Sequence, residues 1–402
     1  MRAWGRAPAV VVAVGLLMGA AACVAPADDA ADGGTGARSA SQSTPADPAA
    51  DPVNACQEPV PGFGVTVDAD GEPLPPRPTD ADDPTAEDED DSDRDGDPRA
   101  ILGPSTAVVD QTVTPVADDP APALPVTVES CDGETVVVDD ASRILAVDLY
   151  GTLAEIVFSL GLGDHVVGRD ASTGFPQAAA LPLVTPGGHD LNAEAILDLD
   201  PTVVLTDASV GPPEVQQQLR DAGIPVIFFD DARDLDRIPS QIRAVAGALG
   251  VPDEGERLVE RTSGEIADAL ALAPAGADPL RIAFLYTRGG MVQLLAGPGS
   301  GADAMIRAIG AVDVGTDIGL DRPFTQITSE ALIEAAPDVI IMMTKGLESI
   351  GGVDGMLRLP GVAQTPAGEK LRVVDMADSV LLSFGPRSGR TIEALAHAVY
   401  QP

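Results

Sequence analysis

One pattern occurs twice in the chain: LNAEAILDLDPTVVL from Leu191 to Leu205 and ITSEALIEAAPDVII from Ile327 to Ile341, with Glu194/Glu330, Ala195/Ala331, Pro201/Pro337 and Val203/Val339 in register. Each copy reads as a short helix opened by a polar residue, a proline that stops it, and an apolar run suited to a buried parallel strand. A duplicated unit of this kind predicts two similar lobes. Two α/β lobes have a natural ligand site, because strand ends of both face one cleft.

The surrounding sequence extends the pattern. From Ile144 onward strand and helix signals alternate: strands at Ile144–Val147, Val166–Gly168, Val203–Asp207 and Val226–Phe229, helices at Leu153–Leu160, Ala193–Asp198 and Pro213–Ala222. Such alternation predicts a parallel sheet with crossover helices. A long helical tract follows, Ile238–Leu249 and then Glu254 to about Leu272, with Leu258, Ile266 and Leu270 on one stripe. A second series begins with a strand at Leu280–Tyr286 and closes with a strand at Val373–Met376 and a helix at Thr391–Tyr400. The expected fold is therefore α/β: a lobe over residues 126–232, a helical connector over 233–279, and a second lobe over 280–402, each lobe built on a parallel sheet.

The start of the chain reads as an export signal. Arg2 and Arg6 precede the apolar run Ala9–Ala22, which is too short for an ordinary membrane span. Gly19, Ala20, Ala21 and Ala22 lead directly into Cys23, which resembles a lipobox whose cysteine is acylated. Residues 1–22 would then be the signal peptide and Cys23 the lipid anchor, holding the protein at the outer face of the cytoplasmic membrane. Only Cys56 and Cys131 remain, an even pair in an oxidising compartment. A disulfide is their simplest use, with two unpaired thiols as the alternative.

The net charge of −39 is uneven: residues 24–140 hold 28 acids and 4 bases. This acidity excludes a nucleic-acid partner, whose binding needs basic side chains that release counterions. Residues 23–125, rich in Ala, Pro, Asp and Gly, cannot bury enough apolar surface to offset their ordering entropy and are expected to be a disordered tether.

Three further motifs bear a resemblance. Asp148–Asp164 (DLYGTLAEIVFSLGLGD) resembles the opening of the substrate-binding lipoproteins of ATP-binding-cassette importers for haem, ferric siderophores and cobalamin. Leu295–Met305 (LAGPGSGADAM) and Ser383–Arg387 (SFGPR), with the repeat itself, look most like the haem-binding branch, and the Asp/Ala/Gly content like an actinobacterial member. The resemblance implies two α/β lobes joined by a helix, permease subunits as partners, haem as the transported ligand, and no enzymatic activity. Ferric-siderophore or cobalamin carriage is the alternative within the same class.

Iron ligands are few to choose from, since the chain has three histidines and three tyrosines. Tyr286 ends a strand and Arg288 lies two residues on, so both point to one face. A phenol with pKa near ~10 ligates poorly at neutral pH, but an adjacent guanidinium and a ferric ion both favour the phenolate. Phenolate suits ferric haem. His189, on the loop before the first repeat helix, is the expected second ligand, and a His with Tyr-x-Arg resembles the actinobacterial haem-binding proteins. Tyr150 and Arg387 are expected to support the haem pocket, the latter by pairing with a propionate. The resemblance assigns Glu194 and Glu330 to docking on the two permease subunits; first-turn helix stabilisation is compatible with that role. His165 and His397 read as surface or packing residues.

Several classes lack their motifs. Gly297–Gly301 has no Lys-Ser/Thr of a phosphate loop, and no Gly-x-Gly-x-x-Gly follows the first strand. No nucleophile elbow or Cys-x-x-Cys occurs, and His189 has no evident nucleophile beside it. A carrier of free metal would need three or four converging ligands.

Overall fold

Aliphatic runs without polar interruption belong where both faces of a sheet are covered, and the computed structural model of the chain places them there. It describes residues 51–63, 97–274, 278–289, 292–326 and 328–402; Cys23 and residues 1–22 lie outside them. Ahead of the first lobe come β1 (Val53–Asn54) and β2 (Ser105–Ala107), and β3 (Val126–Glu129) and β4 (Thr135–Val138) open it. The first lobe holds β5 (Ile144–Val147), β6 (Val166–Gly168), β7 (Val203–Thr206) and β8 (Val226–Phe228). The second holds β9 (Arg281–Arg288), β10 (Val292–Ala296), β11 (Val312–Asp313), β12 (Phe324–Thr325), β13 (Val339–Met343) and β14 (Val373–Met376).

The first sheet is parallel throughout in the order β6-β5-β7-β8. Every residue of β5 and β7 is buried, as expected of strands covered on both sides. The second sheet runs β12-β10-β9-β13-β14-β2 and is mixed. Strands β9, β13, β14 and β2 are parallel, whereas β10 is antiparallel to both β9 and β12. These antiparallel members were not expected from the sequence. Gly289, directly after β9, has a φ of +57°, which suits glycine.

The two repeat units fold alike. Asn192 and Thr328 cap the helices Ala193–Asp198 and Ser329–Ala335, accepting from Ala195 N at 3.0 Å and from Ala331 N at 3.2 Å. Each unit turns into its strand through a left-handed residue before the proline, Asp200 at φ +46° and Ala336 at φ +45°.

The connector is two helices, Ile238–Ala248 and Pro252–Leu270. Leu258 and Ile266 are buried and Leu270 half-buried, on the expected stripe. The longer helix lies against the closing helix Ser388–Tyr400. They approach so closely that a Cβ on Gly389 would sit 2.5 Å from the backbone of Glu265. Glycine is required there by space, since any side chain would force the helices apart.

The expected tether is not structureless over its whole length. Residues 51–63 lie on the first lobe, with β1 parallel to β3, Val60 N donating to Asp236 O at 2.8 Å, and Cys56 disulfide-bonded to Cys131. Residues 97–125 form a strap. Its β2 adds to the edge of the second sheet beside β14. Further along, the carbonyls of Gln111 and Thr112 accept from Arg387 and Arg390, that of Thr114 from Arg261, and that of Val113 from Gln177, before Val116 N donates to Ser159 O at 2.8 Å. The strap thus touches both lobes and the connector. Composition averaged over the segment hid this: Ala107 and Val113 are buried, and side chains of the lobes satisfy the strap's backbone.

Candidate functional site

Ligand sites in open parallel sheets form at the carboxyl ends of the strands where the strand order turns back. In the first lobe that point lies between β5 and β7. An aspartate stands just past each of three neighbouring strands: Asp148 after β5, Asp170 after β6 and Asp207 after β7, all buried. Asp148 accepts from Tyr150 N and Leu153 N, both at 2.8 Å, which fastens the β5 loop to the start of the next helix. Asp170 accepts from Asp148 N at 3.1 Å, Ser172 N at 2.8 Å and Thr173 N at 2.6 Å. Asp207 accepts from Ser209 N at 2.9 Å and from the Ser209 hydroxyl, whose oxygen accepts from Leu149 N.

Such crowding of carboxylates is costly in a region of low dielectric. Burial first, and then the neighbouring Asp148, push Asp170 up to about 7 and Asp207 up to about 6. Arg233 is the buried cation beside them. Its Nη2 lies 3.5 Å from Asp207 Oδ2, and its Cζ stands 3.9 Å from the centre of the Tyr150 ring. Burial raises the Tyr150 phenol above its ordinary pKa. Tyr150 is thus half-buried at the base of the first lobe's rim.

In the second lobe the long strand β9 carries Tyr286 and Arg288 out to its end on one face, as alternation requires. The guanidinium Cζ of Arg288 lies 4.6 Å from the centre of the Tyr286 ring, within cation–π range. Phe324 of β12 packs beside the same ring in a tilted contact, with ring centres 5.7 Å apart. Arg288 Nη1 donates to Thr287 O at 3.0 Å and Nη2 to Asp378 Oδ2 at 2.9 Å.

His189 sits on the loop before the first repeat helix with a side chain 65% exposed. Its backbone is fixed, because His189 O accepts from Gly211 N at 3.1 Å and the next residue bridges to Gly211. Its Nδ1 is 3.0 Å from Asp190 Oδ1. A carboxylate that accepts a hydrogen bond from Nδ1–H orients an imidazole and turns Nε2 outward, an arrangement common in metal-binding histidines.

Tyr286 and Arg288 are therefore brought together, while His189 stands on the other lobe. Among the described residues no hydrogen bond, ion pair or ring contact joins His189 to either. Glu194 and Glu330 are both exposed second residues of the capped repeat helices. His165 pairs at 2.8 Å with Asp119 of the strap, and His397 is exposed on the last helix.

Arg387 corrects an expectation. It was assigned to a ligand carboxylate, but its side chain is 4% exposed and its Nη2 lies 2.7 Å from Oε2 of the wholly buried Glu155. Its backbone N–H donates to the other oxygen of Glu155 at 2.7 Å. A carboxylate buried on the first helix must be compensated, and Arg387 does so across the lobes.

Sequence reasoning missed Asp148, Asp170, Asp207, Arg233 and Asp378. The first and third carried a signal: an aspartate directly after an apolar strand, as in Ile144–Asp148 and Val203–Asp207. Arg233 and Asp378 carried none, since their partners are distant in sequence. Among the described residues no group of three or more His, Cys, Asp or Glu side chains is placed to hold a metal ion.

Comparison with known proteins agrees with the two-lobed fold. The chain resembles the solved structure of the heme binding protein HmuT at 42% identity and a TM-score of 0.73, covering 76% of this chain and 100% of that one. It resembles the apo form of the periplasmic heme-binding protein RhuT from Roseiflexus sp. RS-1 at 42% identity and a TM-score of 0.61, over 65% of this chain and 98% of that one. Among curated proteins it is 25% identical over 280 residues to the uncharacterized ABC transporter substrate-binding lipoprotein YvrC of Bacillus subtilis (strain 168), covering 69% of this chain and 86% of that protein. A vitamin B12-binding protein of Pectobacterium atrosepticum is 24% identical, over 50% of this chain and 71% of its own length. The family description "Periplasmic binding protein" matches residues 147–380, which spans β7, the connector and β14. With the two lobes, the connecting helices and that match together, the chain belongs to the periplasmic binding protein family.

Proposed function

We propose that this protein binds haem in the cleft and delivers it to an ATP-binding-cassette importer, without catalysing a reaction. The observation that carries the reading is the Arg288 guanidinium placed 4.6 Å over the Tyr286 ring at the end of β9. A phenol oxygen is a hard donor suited to ferric iron, and the guanidinium holds the ring that carries it in place at the strand end. His189, with Asp190 beside Nδ1, is the second ligand in this reading, and Tyr150 lines the pocket. Support comes also from HmuT, solved as alanine variants at a histidine, a tyrosine and an arginine two positions beyond that tyrosine. The same Tyr-x-Arg spacing joins Tyr286 and Arg288.

Glu194 and Glu330 are the proposed contacts with the two permease subunits, being exposed at matched places on the two lobes. Residues 1–22 are the proposed signal peptide and Cys23 the acylated anchor. The test is titration of the purified protein with ferric haem, followed by absorption, with cobalamin and a ferric siderophore as competitors. A saturable 1:1 spectral change that is lost in Tyr286→Ala supports the reading. Displacement by cobalamin would move the protein to the second reading, which the vitamin B12-binding relatives favour.

A further inference from the structure

Arg288 has a long, flexible side chain that is 40% exposed, so its position over Tyr286 needs a cause. The cause lies two strands away. Asp378 opens the short helix just after β14, and its side chain is 17% exposed. Its Oδ2 accepts from Arg288 Nη2 at 2.9 Å, and its Oδ1 accepts from Lys345 N at 3.0 Å, at the start of the helix after β13. One carboxylate therefore ties together the carboxyl ends of β9, β13 and β14, which are neighbours in the sheet.

The guanidinium is held by its edges. Thr287 O accepts from Nη1 at 3.0 Å, Met343 Sδ lies 3.5 Å from Nη2, and Asp378 takes a further proton of Nη2. Its flat face is left for the Tyr286 ring. Gly346 makes the room: a Cβ there would stand 3.3 Å from Arg288 Nη1 and 3.1 Å from Thr287 O. The other charged side chains on the helix Thr344–Ser349, Lys345 and Glu348, are exposed, and β10 and β12 carry no charge.

We propose that Asp378 is a positioning residue for the ligand site, fixing the Arg288 guanidinium over the ring of Tyr286. This rests on the reading of Tyr286 as an iron ligand. Among the described residues no hydrogen bond or ion pair joins Asp378 to the phenol, so it acts through Arg288. Partners one shell out from a metal ligand commonly alter affinity by roughly 10- to 100-fold when removed.

The test has a loaded arm and a ligand-free arm. In the loaded arm, Asp378→Ala lowers haem affinity roughly tenfold and moves the absorption maximum to that of Arg288→Ala, while adding nothing in a chain that already carries Arg288→Ala. Asp378→Asn keeps an oxygen for the Lys345 amide but not the charge that draws Arg288, and gives the same loss should the alanine variant fail to fold. In the ligand-free arm, the NMR shifts that the Tyr286 ring imposes on the Arg288 side-chain protons disappear in Asp378→Asn. An equal loss of affinity with and without Arg288, or ring-shifted Arg288 protons that persist in Asp378→Asn, would overturn the proposal. Should the wild type take up no haem, the haem reading fails, and the ligand-free arm still decides whether Asp378 positions Arg288.

Discussion

An imidazole becomes a useful ligand when something else decides where its proton sits. For His189 that partner is Asp190, adjacent in sequence and 3.0 Å from Nδ1. His189→Ala and Tyr286→Ala should each change the spectrum of bound haem, and Asp190→Asn should weaken binding by roughly tenfold without abolishing it. Unaltered spectra in both alanine variants would remove the two-ligand reading. The buried aspartates make a separate prediction. Asp170 at about 7 and Asp207 at about 6 stand above the ordinary 3.8, so the folded chain holds protons that the unfolded chain releases. Their contribution to stability is fully present below about 4 and is lost as pH rises through their folded values. In melting experiments, Asp207→Asn should reduce the fall in stability of the wild type between about pH 4 and pH 6; an identical profile in the variant would exclude Asp207 as a source.

Among the elements, the repeat was the most legible part of the chain. Its spacing of helix, proline and strand announced both copies, and the capping residues Asn192 and Thr328 appear in the structure where the polar openings stood. Asn192→Ala or Thr328→Ala should each cost about 1 kcal/mol in denaturant unfolding. Glu194→Ala and Glu330→Ala should leave haem binding intact while reducing uptake by cells; weakened haem binding in either would place that glutamate at the ligand instead. Tyr286 and Arg288 were legible because strand alternation is local. Arg387 was misread because its partner, Glu155, lies on a helix of the other lobe, and sequence spacing carries no record of such a contact. The same holds for Asp378 and Arg233. The strap was missed for a related reason: short apolar stretches in an acidic, proline-rich segment acquire order only from the lobes they lie on.

At the scale of the whole molecule, the lobes are joined by more than their connector. The buried Glu155–Arg387 pair spans them at 2.7 Å, and the strap crosses the same side. Arg387→Met should destabilise the protein by about 3–5 kcal/mol, because it strands a buried carboxylate, and the double variant Glu155→Leu/Arg387→Met should recover much of the loss. Additive losses in the double variant would show that the two residues do not act as a pair.

The strap, by fastening both lobes and the connector along one side, also fixes a length. The two repeat helices present Glu194 and Glu330 from lobes that share these fastenings, so the span between those carboxylates is expected to change little when a ligand arrives. In the docking proposed above, such a molecule works as a gauge of constant width. An importer touching both ends would meet the same spacing whether the carrier is full or empty, and would have to sense cargo through the cleft itself.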